Sequence, residues 1–407
     1  MNDAKPPRAP AAPSLSTQLI HHDYRAPDGF DAPTIGVHKA STVFFVNVAQ
    51  MRSRSWLDRS GYTYGLHGTP TTFTLEARLC TLEGARHCIL APSGLSAIAI
   101  VHSALLAHGD HVLLPDNVYQ PNLAMARNEL ARWGITHGLY DAMDPASLDA
   151  ALTPATKLVW LEAAGSVTLE FPDLVALVKA VRAKAPQAVI GLDNTWGAGI
   201  AFAPFELPEG QGVDLCVHAL TKYPSGGGDV LMGSVSCRDQ KLFERLSMTH
   251  SRLGIGVGAN DVEFVLRALP TIELRYRRHD EAAREVARWL AARSEFARVL
   301  HPALPGSPGH DAWQRTCRGV AGLVSVQFAP AVARERVDAF VDALRLFRIG
   351  YSWGGPVSLA VPYDLTPMRP KSAQPRGMLV RFSIGLEDPQ DLIADLEQAL
   401  RAFDRAS

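Results

Sequence analysis

What this chain has little of narrows its chemistry first. Its five cysteines, Cys80, Cys88, Cys216, Cys237 and Cys317, are odd in number and none stands at CxxC spacing. That excludes a disulfide framework or a thiolate zinc site as the organising device. Neither charge dominates, with 40 Lys and Arg against 41 Asp and Glu among 407 residues, so no footprint for nucleic acid or an anionic membrane surface is present. A long apolar run is also missing. The most apolar window, Cys88–Ala107, is interrupted by Pro92, Ser93 and Gly94, whereas a membrane span needs about 20 apolar residues in succession; the window reads as core. The proline-rich opening, Met1–Pro13, lacks the apolar stretch of a secretory leader and reads as a flexible tail, with the cytoplasm as the expected location. Lysine is scarce as well: the chain has eight.

What is there is a large store of apolar residues, 47% of the chain, enough for a sizeable core divided between two domains. From about residue 86 to 236, short apolar runs alternate with helical patterns, which predicts an α/β fold with a mostly parallel sheet flanked by helices. The predicted strands are His87–Ala91, His111–Leu114, Lys157–Leu161, Ala188–Leu192 and Asp214–Val217. The predicted helices include Leu95–Ala107 and Pro172–Ala183, the latter with Leu174, Leu177, Val178 and Val181 at helical spacing. A long helical pattern after Gly258 connects to a smaller C-terminal α/β domain, with strands at Leu323–Phe328 and Met378–Ile384 and a helix at Gln390–Phe403 capped by Asp388. The expected division is an N-terminal arm over 1–65, a large domain over 66–265 and the smaller domain over 266–407.

Three features fall just past predicted strand ends, the rim where open α/β sheets bind ligands. Ser93-Gly94-Leu95 turns from strand into a buried helix, so its backbone N–H groups suit a phosphate, although a Ser-Gly turn is ordinary by itself. Asp193 ends an apolar run ahead of Asn194-Thr195-Trp196. A carboxylate there must be paired or wet, and such a triplet in isolation is usually a cap or a turn. Lys222, between Thr221 and Tyr223 and before Gly226-Gly227-Gly228, would alone be a solvated charge. Together the three ask for one ligand that offers an aldehyde to the amine, a phosphate to the turn and a pyridine nitrogen to the carboxylate. Pyridoxal 5'-phosphate (PLP) carries all of these. Among the eight lysines, Lys222 alone combines a strand edge, a hydroxyl neighbour and a glycine run, which makes it the Schiff-base candidate. Arg381, amid Leu379, Val380 and Phe382, is an awkward charge for a strand unless something pairs with it, and its planar fork suits a carboxylate.

The run Val217–Leu231, VHALTKYPSGGGDVL, resembles the lysine segment of the Cys/Met-metabolism PLP-dependent enzymes. YGLHGTPT (Tyr64–Thr71), LEGARHCILAPSGLSA (Leu82–Ala97), LEAAGSVTLE (Leu161–Glu170), DNTWGAG (Asp193–Gly199), YSWGG (Tyr351–Gly355) and VRFSIGLED (Val380–Asp388) follow that family's order, and the likeness covers nearly everything after residue 35. HPALPGSPGH (His301–His310), YSWGG and IGLED resemble the bacterial cystathionine β-lyase type more than the γ-acting relatives.

The resemblance implies fold type I of the PLP-dependent transferases, with the segment before residue 65 also serving as a subunit contact. It implies that Lys222 holds the cofactor and then acts as general base at Cα, that Asp193 keeps the pyridine nitrogen protonated, and that Tyr119 stacks on the ring and takes part in catalysis. Gly94 and Leu95 by backbone and Thr221 by hydroxyl would contact the phosphate. Tyr64 would reach it from a neighbouring subunit, in a homotetramer built from dimers with shared sites. Arg381 would bind the substrate α-carboxylate, with Ser352 and Trp353 lining the same pocket; Trp353 serves equally well as an anchor between domains. The implied reaction is β-elimination from L-cystathionine, giving homocysteine and an aminoacrylate that hydrolyses to pyruvate and ammonia, with no nucleic-acid or membrane partner. Two departures stand out. Leu66 occupies a position where many relatives carry arginine, so one cationic contact to phosphate or substrate is missing unless His67 or another residue substitutes, and Ala163-Ala164-Gly165-Ser166 replaces Ser-Pro-x-Asn, leaving the contact to the cofactor hydroxyl to Ser166. Cysteine or cystine desulfhydration, γ-elimination and homoserine-ester sulfhydrylation remain open on the same scaffold, as does a catalytically silent oligomeric scaffold.

Overall fold

Seven strands make the first sheet of the computed structural model, which describes residues 13–22, 24, 28–30, 32, 34–59, 61–368 and 377–405. The tail expected before Pro13 lies outside the described residues. In chain order the strands are β1 (His87–Ala91), β2 (His111–Pro115), β3 (Thr136–Tyr140), β4 (Thr156–Glu162), β5 (Val189–Asp193), β6 (Leu215–His218) and β7 (Gly233–Cys237), arranged β1-β7-β6-β5-β4-β2-β3. The pairs from β6 through β3 are parallel, and β7 runs antiparallel to both β1 and β6. Helices cover both faces, which is why the central strands are nearly continuous apolar runs. Leu158, Val159, Trp160 and Leu161 of β4 are all buried. The helix Gly94–Leu105 is apolar almost all round because it too is enclosed, with Ala97, Ile98, Ile100, Val101 and Leu105 buried.

Two glycines let this helix start where it does. A Cβ on Gly94 would stand 2.7 Å from Cβ of Ala219, and one on Gly233 would stand 2.4 Å from the Ser93 carbonyl oxygen. The turn from β1 into the helix therefore lies directly on β7 and on the segment after β6.

The second sheet holds β8 (Arg298–Leu300), β9 (Leu323–Gln327), β10 (Arg348–Ile349), β11 (Leu359–Asp364) and β12 (Met378–Ser383) in the order β10-β11-β12-β9-β8. Its own core gathers Val324, Val326, Phe328, Phe340, Val380 and Phe382 against the helices Ile272–Ala291 and Pro389–Arg405. Asp388 caps the last helix, its side chain accepting from the Gln390 amide at 2.9 Å. Residue 265 falls inside the helix Ala259–Ala268. Core membership passes along the next helix, from Ile272 and Tyr276, which pack with the first sheet, to Ala282, Val286 and Leu290, which pack with the second. Among the described residues no helix is long and apolar enough to cross a membrane.

Candidate active site

A cavity of about 500 Å³ opens at the C-terminal ends of β4, β5 and β6 and is closed from above by Tyr351–Trp353, Tyr363 and Arg381. Of the residues singled out from sequence, Gly94, Leu95, Tyr119, Ser166, Asp193, Thr221, Lys222, Ser352, Trp353 and Arg381 line it together. Tyr64 does not. It is half exposed and lines a separate hollow with Leu66 and His67, so within one chain it is not brought to the cavity.

Lys222 sits in a tight turn after β6. Its amide donates to Ala219 O at 3.0 Å and its carbonyl accepts from Gly226 N at 2.9 Å. Gly226 has a left-handed φ of +65°, and a Cβ there would meet the Arg275 guanidinium at 2.2 Å, so the glycine is required. That guanidinium donates to Tyr223 O at 2.7 Å and pins the turn from below. The Lys222 ammonium donates to Ser352 Oγ at 2.8 Å and lies 5.4 Å from the centre of the Trp353 ring. Burial, and secondarily the charge of Arg381, lowers its pKa to about 8, against the opposing pull of Asp193. An amine so placed is partly neutral near neutral pH, as a nucleophile or base must be.

Asp193, the last residue of β5, accepts from the Thr195 amide at 3.0 Å. Burial raises its pKa, and hydrogen bonding to Thr195 resists that rise, followed by the charges of His218 and Lys222. The Thr195 hydroxyl in turn accepts from Ala219 N at 2.9 Å, tying Asp193 to the turn that carries Lys222. Sequence reasoning read Thr195 only as part of a triplet. Its role becomes visible once β5 and β6 are paired, Asp193 opposite Val217.

Tyr119 begins the helix Gln120–Met125, and its amide donates to Glu162 Oε2 at 2.8 Å. Burial, then Asp193 and Glu162, raises the pKa of its phenol. Ser166 is held by its amide, which donates to Asn117 O at 2.9 Å. Ser93 caps the helix Gly94–Leu105 by accepting from Ser96 N at 3.0 Å, which leaves the first-turn amides of Gly94 and Leu95 without intrahelical partners. The Thr221 hydroxyl donates to Met232 O and accepts from Met232 N, both at 3.2 Å.

Arg381 on β12 is 8% exposed. Its guanidinium donates to Ser352 O at 3.5 Å and lies 5.5 Å from the Tyr363 ring centre, and its Nε is buried with no partner among the described residues. Ser352 has φ +104°, a conformation L-residues adopt only under constraint. His67 has both ring nitrogens engaged, with Thr63 Oγ1 and Ser251 Oγ at 3.1 Å each, and stacks on Trp56 at 4.5 Å.

These residues suit PLP on their own geometry. Gly94 and Leu95 bring the first-turn amides of their helix to the cavity, Asp193 presents a carboxylate, Lys222 an amine, and the buried Trp196 Nε1 on the same wall has no partner among the described residues. A family model for Cys/Met metabolism PLP-dependent enzymes matches residues 16–401. The cystathionine β-lyase of Bordetella avium is 38% identical over 96% of this chain and 97% of its own. That of Escherichia coli K12 is 36% identical over 94% and 97%. A crystal structure of metB from Corynebacterium glutamicum superposes with a TM-score of 0.86 at 30% identity, over 96% of this chain and 98% of that one. The amine, carboxylate and phosphate cradle inferred from scattered residues thus lie on one sheet rim, inside a match running almost end to end, and the chain belongs to the Cys/Met-metabolism PLP-dependent enzymes.

Proposed function

We propose that the protein cleaves the Cβ–S bond of L-cystathionine, releasing homocysteine and, after hydrolysis of aminoacrylate, pyruvate and ammonia. The observation that carries this reading is a Lys222 whose Nζ donates to Ser352 Oγ in one cavity shared with Asp193 and Arg381. The names of the Bordetella and Escherichia relatives support the choice of substrate.

PLP supplies an electron sink for the carbanion at Cα; the chain supplies everything that aims and times it. Lys222 would hold the cofactor aldehyde and Asp193 its ring nitrogen, with the Gly94 and Leu95 amides and Thr221 at the phosphate, Ser166 at the ring hydroxyl and Tyr119 on the ring face. Arg381 takes the substrate carboxylate with its unpartnered Nε, beside Ser352 and Trp353, and so places the Cα proton within reach of Lys222. The lowered pKa of Lys222 lets it accept that proton without a further base. The exposed apolar side chains of the N-terminal arm, Phe44 at 90% and Val46 at 86%, support a subunit contact through which Tyr64 of a second copy completes the phosphate site, in a cytoplasmic homotetramer.

The test is direct. Purified protein should be yellow, should lose that colour to borohydride, and with L-cystathionine should release thiol and pyruvate in equal amounts. Release of 2-oxobutyrate in place of pyruvate would replace β-elimination by γ-elimination.

A further inference from the structure

We propose that Tyr363 is a positioning residue for Arg381: its ring is the shelf that holds the guanidinium where the substrate carboxylate must dock. This rests on the reading of Arg381 as the group that takes that carboxylate.

Arg381 is set by packing more than by polar bonds. Its neighbours Val380 and Phe382 belong to the core of the second sheet, so the alternation of a strand turns Arg381 to the opposite face, toward the cavity it lines. Among the described residues its hydrogen bonding is the long contact to Ser352 O, with Nε left over. Ser325 stands opposite Arg381 on β9, but its hydroxyl donates to Val167 O at 2.6 Å.

What the guanidinium does have is an aromatic face. It lies over the Tyr363 ring, 5.5 Å from the centre, inside the distance of about 6 Å over which a cation is drawn to a ring. Strand register explains the contact. In the antiparallel pair of β11 and β12, Val361 is opposite Arg381 and Tyr363 is opposite Leu379, which makes Tyr363 a diagonal neighbour of Arg381 on the same face.

Of the two side chains the ring is the fixed one. Among the described residues β10 pairs only with Leu359 and Ala360, so beyond them β11 is an edge, where Pro362 is tolerated and locks the backbone ahead of Tyr363. Just after Tyr363, the Asp364 carboxylate accepts from the Thr366 amide at 2.9 Å and from Arg334 at 3.2 Å. The ring itself packs against the cluster of Val167, Leu300, Leu365 and Leu379. A ring so anchored can orient the long, flexible side chain beside it, and a planar fork must be oriented before it can receive a carboxylate through two bonds.

Two oxyamines test this on the purified holoenzyme. Aminooxyacetate and methoxyamine each displace Lys222 from the cofactor aldehyde as an oxime and bleach the yellow colour, but only the first carries a carboxylate. Arg381→Leu should slow aminooxyacetate and spare methoxyamine; if the two reagents respond alike, the reading of Arg381 fails and the shelf goes with it. Tyr363→Leu should slow aminooxyacetate about fivefold, the worth of a partly desolvated contact between cation and ring, with methoxyamine unchanged. Tyr363→Phe, which keeps the ring, should recover most of that loss. In an Arg381→Leu background Tyr363→Leu should have no further effect. With Arg381 itself discriminating the reagents, four results would each overturn the shelf: no change in Tyr363→Leu, equal slowing of both reagents, a loss that persists without Arg381, or a phenylalanine variant as slow as the leucine one. Should Tyr363→Leu not fold, Tyr363→Ile, better suited to a strand, is read in the same way.

Discussion

The two walls of the cavity are built in opposite ways. On the first sheet each functional group is locked by backbone: Asp193 by the Thr195 amide, Thr195 by Ala219, and the Lys222 turn by Gly226 and Arg275. On the second, among the described residues, Arg381 keeps a buried Nε without a partner and its guanidinium makes one long contact, to Ser352 O, while Ser352 sits at φ +104°. A wall whose functional groups are fixed by backbone hydrogen bonds suits a resident cofactor. One with an open donor and backbone strain suits a ligand that arrives and leaves at each turnover. Inside the cavity the walls meet at Lys222, whose Nζ donates to Ser352 Oγ and lies 5.4 Å from the centre of the Trp353 ring.

The sharpest way to break the comparison is at Lys222. Lys222→Ala should lower kcat at least about a thousandfold, through loss of both attachment and general base, and abolish the borohydride-sensitive colour. PLP should still bind non-covalently, because Asp193 and the Gly94–Leu95 amides are untouched; a variant that takes up no PLP at all would make the first wall depend on one amine.

Arg381→Leu comes next and should separate the walls. Loss of a charged partner for the carboxylate, worth about 2–5 kcal/mol, should reduce kcat/KM about a hundredfold or more with PLP affinity within about twofold. It also has a pH signature. Apo protein mixed with PLP should turn yellow at a rate that climbs with pH through about 8, as Lys222 loses its proton. Arg381 lowers that pKa, so its removal should move the climb to higher pH. An unmoved climb would mean that the walls do not communicate.

The first wall was the more legible of the two in sequence. Strands buried on both faces announce themselves as apolar runs, so β1, β2, β4, β5 and β6 were expected within a residue or two of their observed bounds. The strand β7, Gly-Ser-Val-Ser-Cys, was not expected, because it exists through its neighbours: Ser234 and Ser236 are buried between β1 and β6 without an apolar run to mark them. The short Thr136–Tyr140 strand escaped because it lies at the sheet edge, half-buried along most of its length, and needs no apolar run. Asp193 and Arg381 are charges beside apolar runs, and Lys222 combines a strand edge, a hydroxyl neighbour and a glycine run, signals that gained force together because one cofactor accounts for them. Thr195, Trp196, Glu162 and Tyr363 carry no such signal. Glu162 acquires its place by accepting from Tyr119 N, 43 residues away in the chain. Tyr64 lines a separate hollow within one chain, so nothing in its surroundings marks it as part of the cavity.

At Ser352 two contributions can be told apart. Ser352→Ala removes the acceptor for Lys222 and should cost about tenfold in kcat, the usual worth of a hydrogen bond to a charged group. Ser352→Gly should cost as much in kcat but stabilise the fold by about 1 kcal/mol relative to alanine, because glycine tolerates the left-handed backbone. Equal stability of the two variants, measured by chemical denaturation, would show that the loop is not strained.

The smallest effect belongs to Trp353, which touches both walls: its ring packs against Tyr223 at 5.5 Å and lies 5.4 Å from Lys222 Nζ. Trp353→Phe keeps an aromatic ring for Tyr223 but offers the ammonium a weaker face, a difference of about 0.5–1 kcal/mol, so kcat/KM should fall about threefold with little change in Tm. The opposite pattern, several degrees lost from Tm with kcat/KM preserved, would make Trp353 an anchor between the sheets and leave Ser352 as the one side chain through which the substrate wall acts on the cofactor wall.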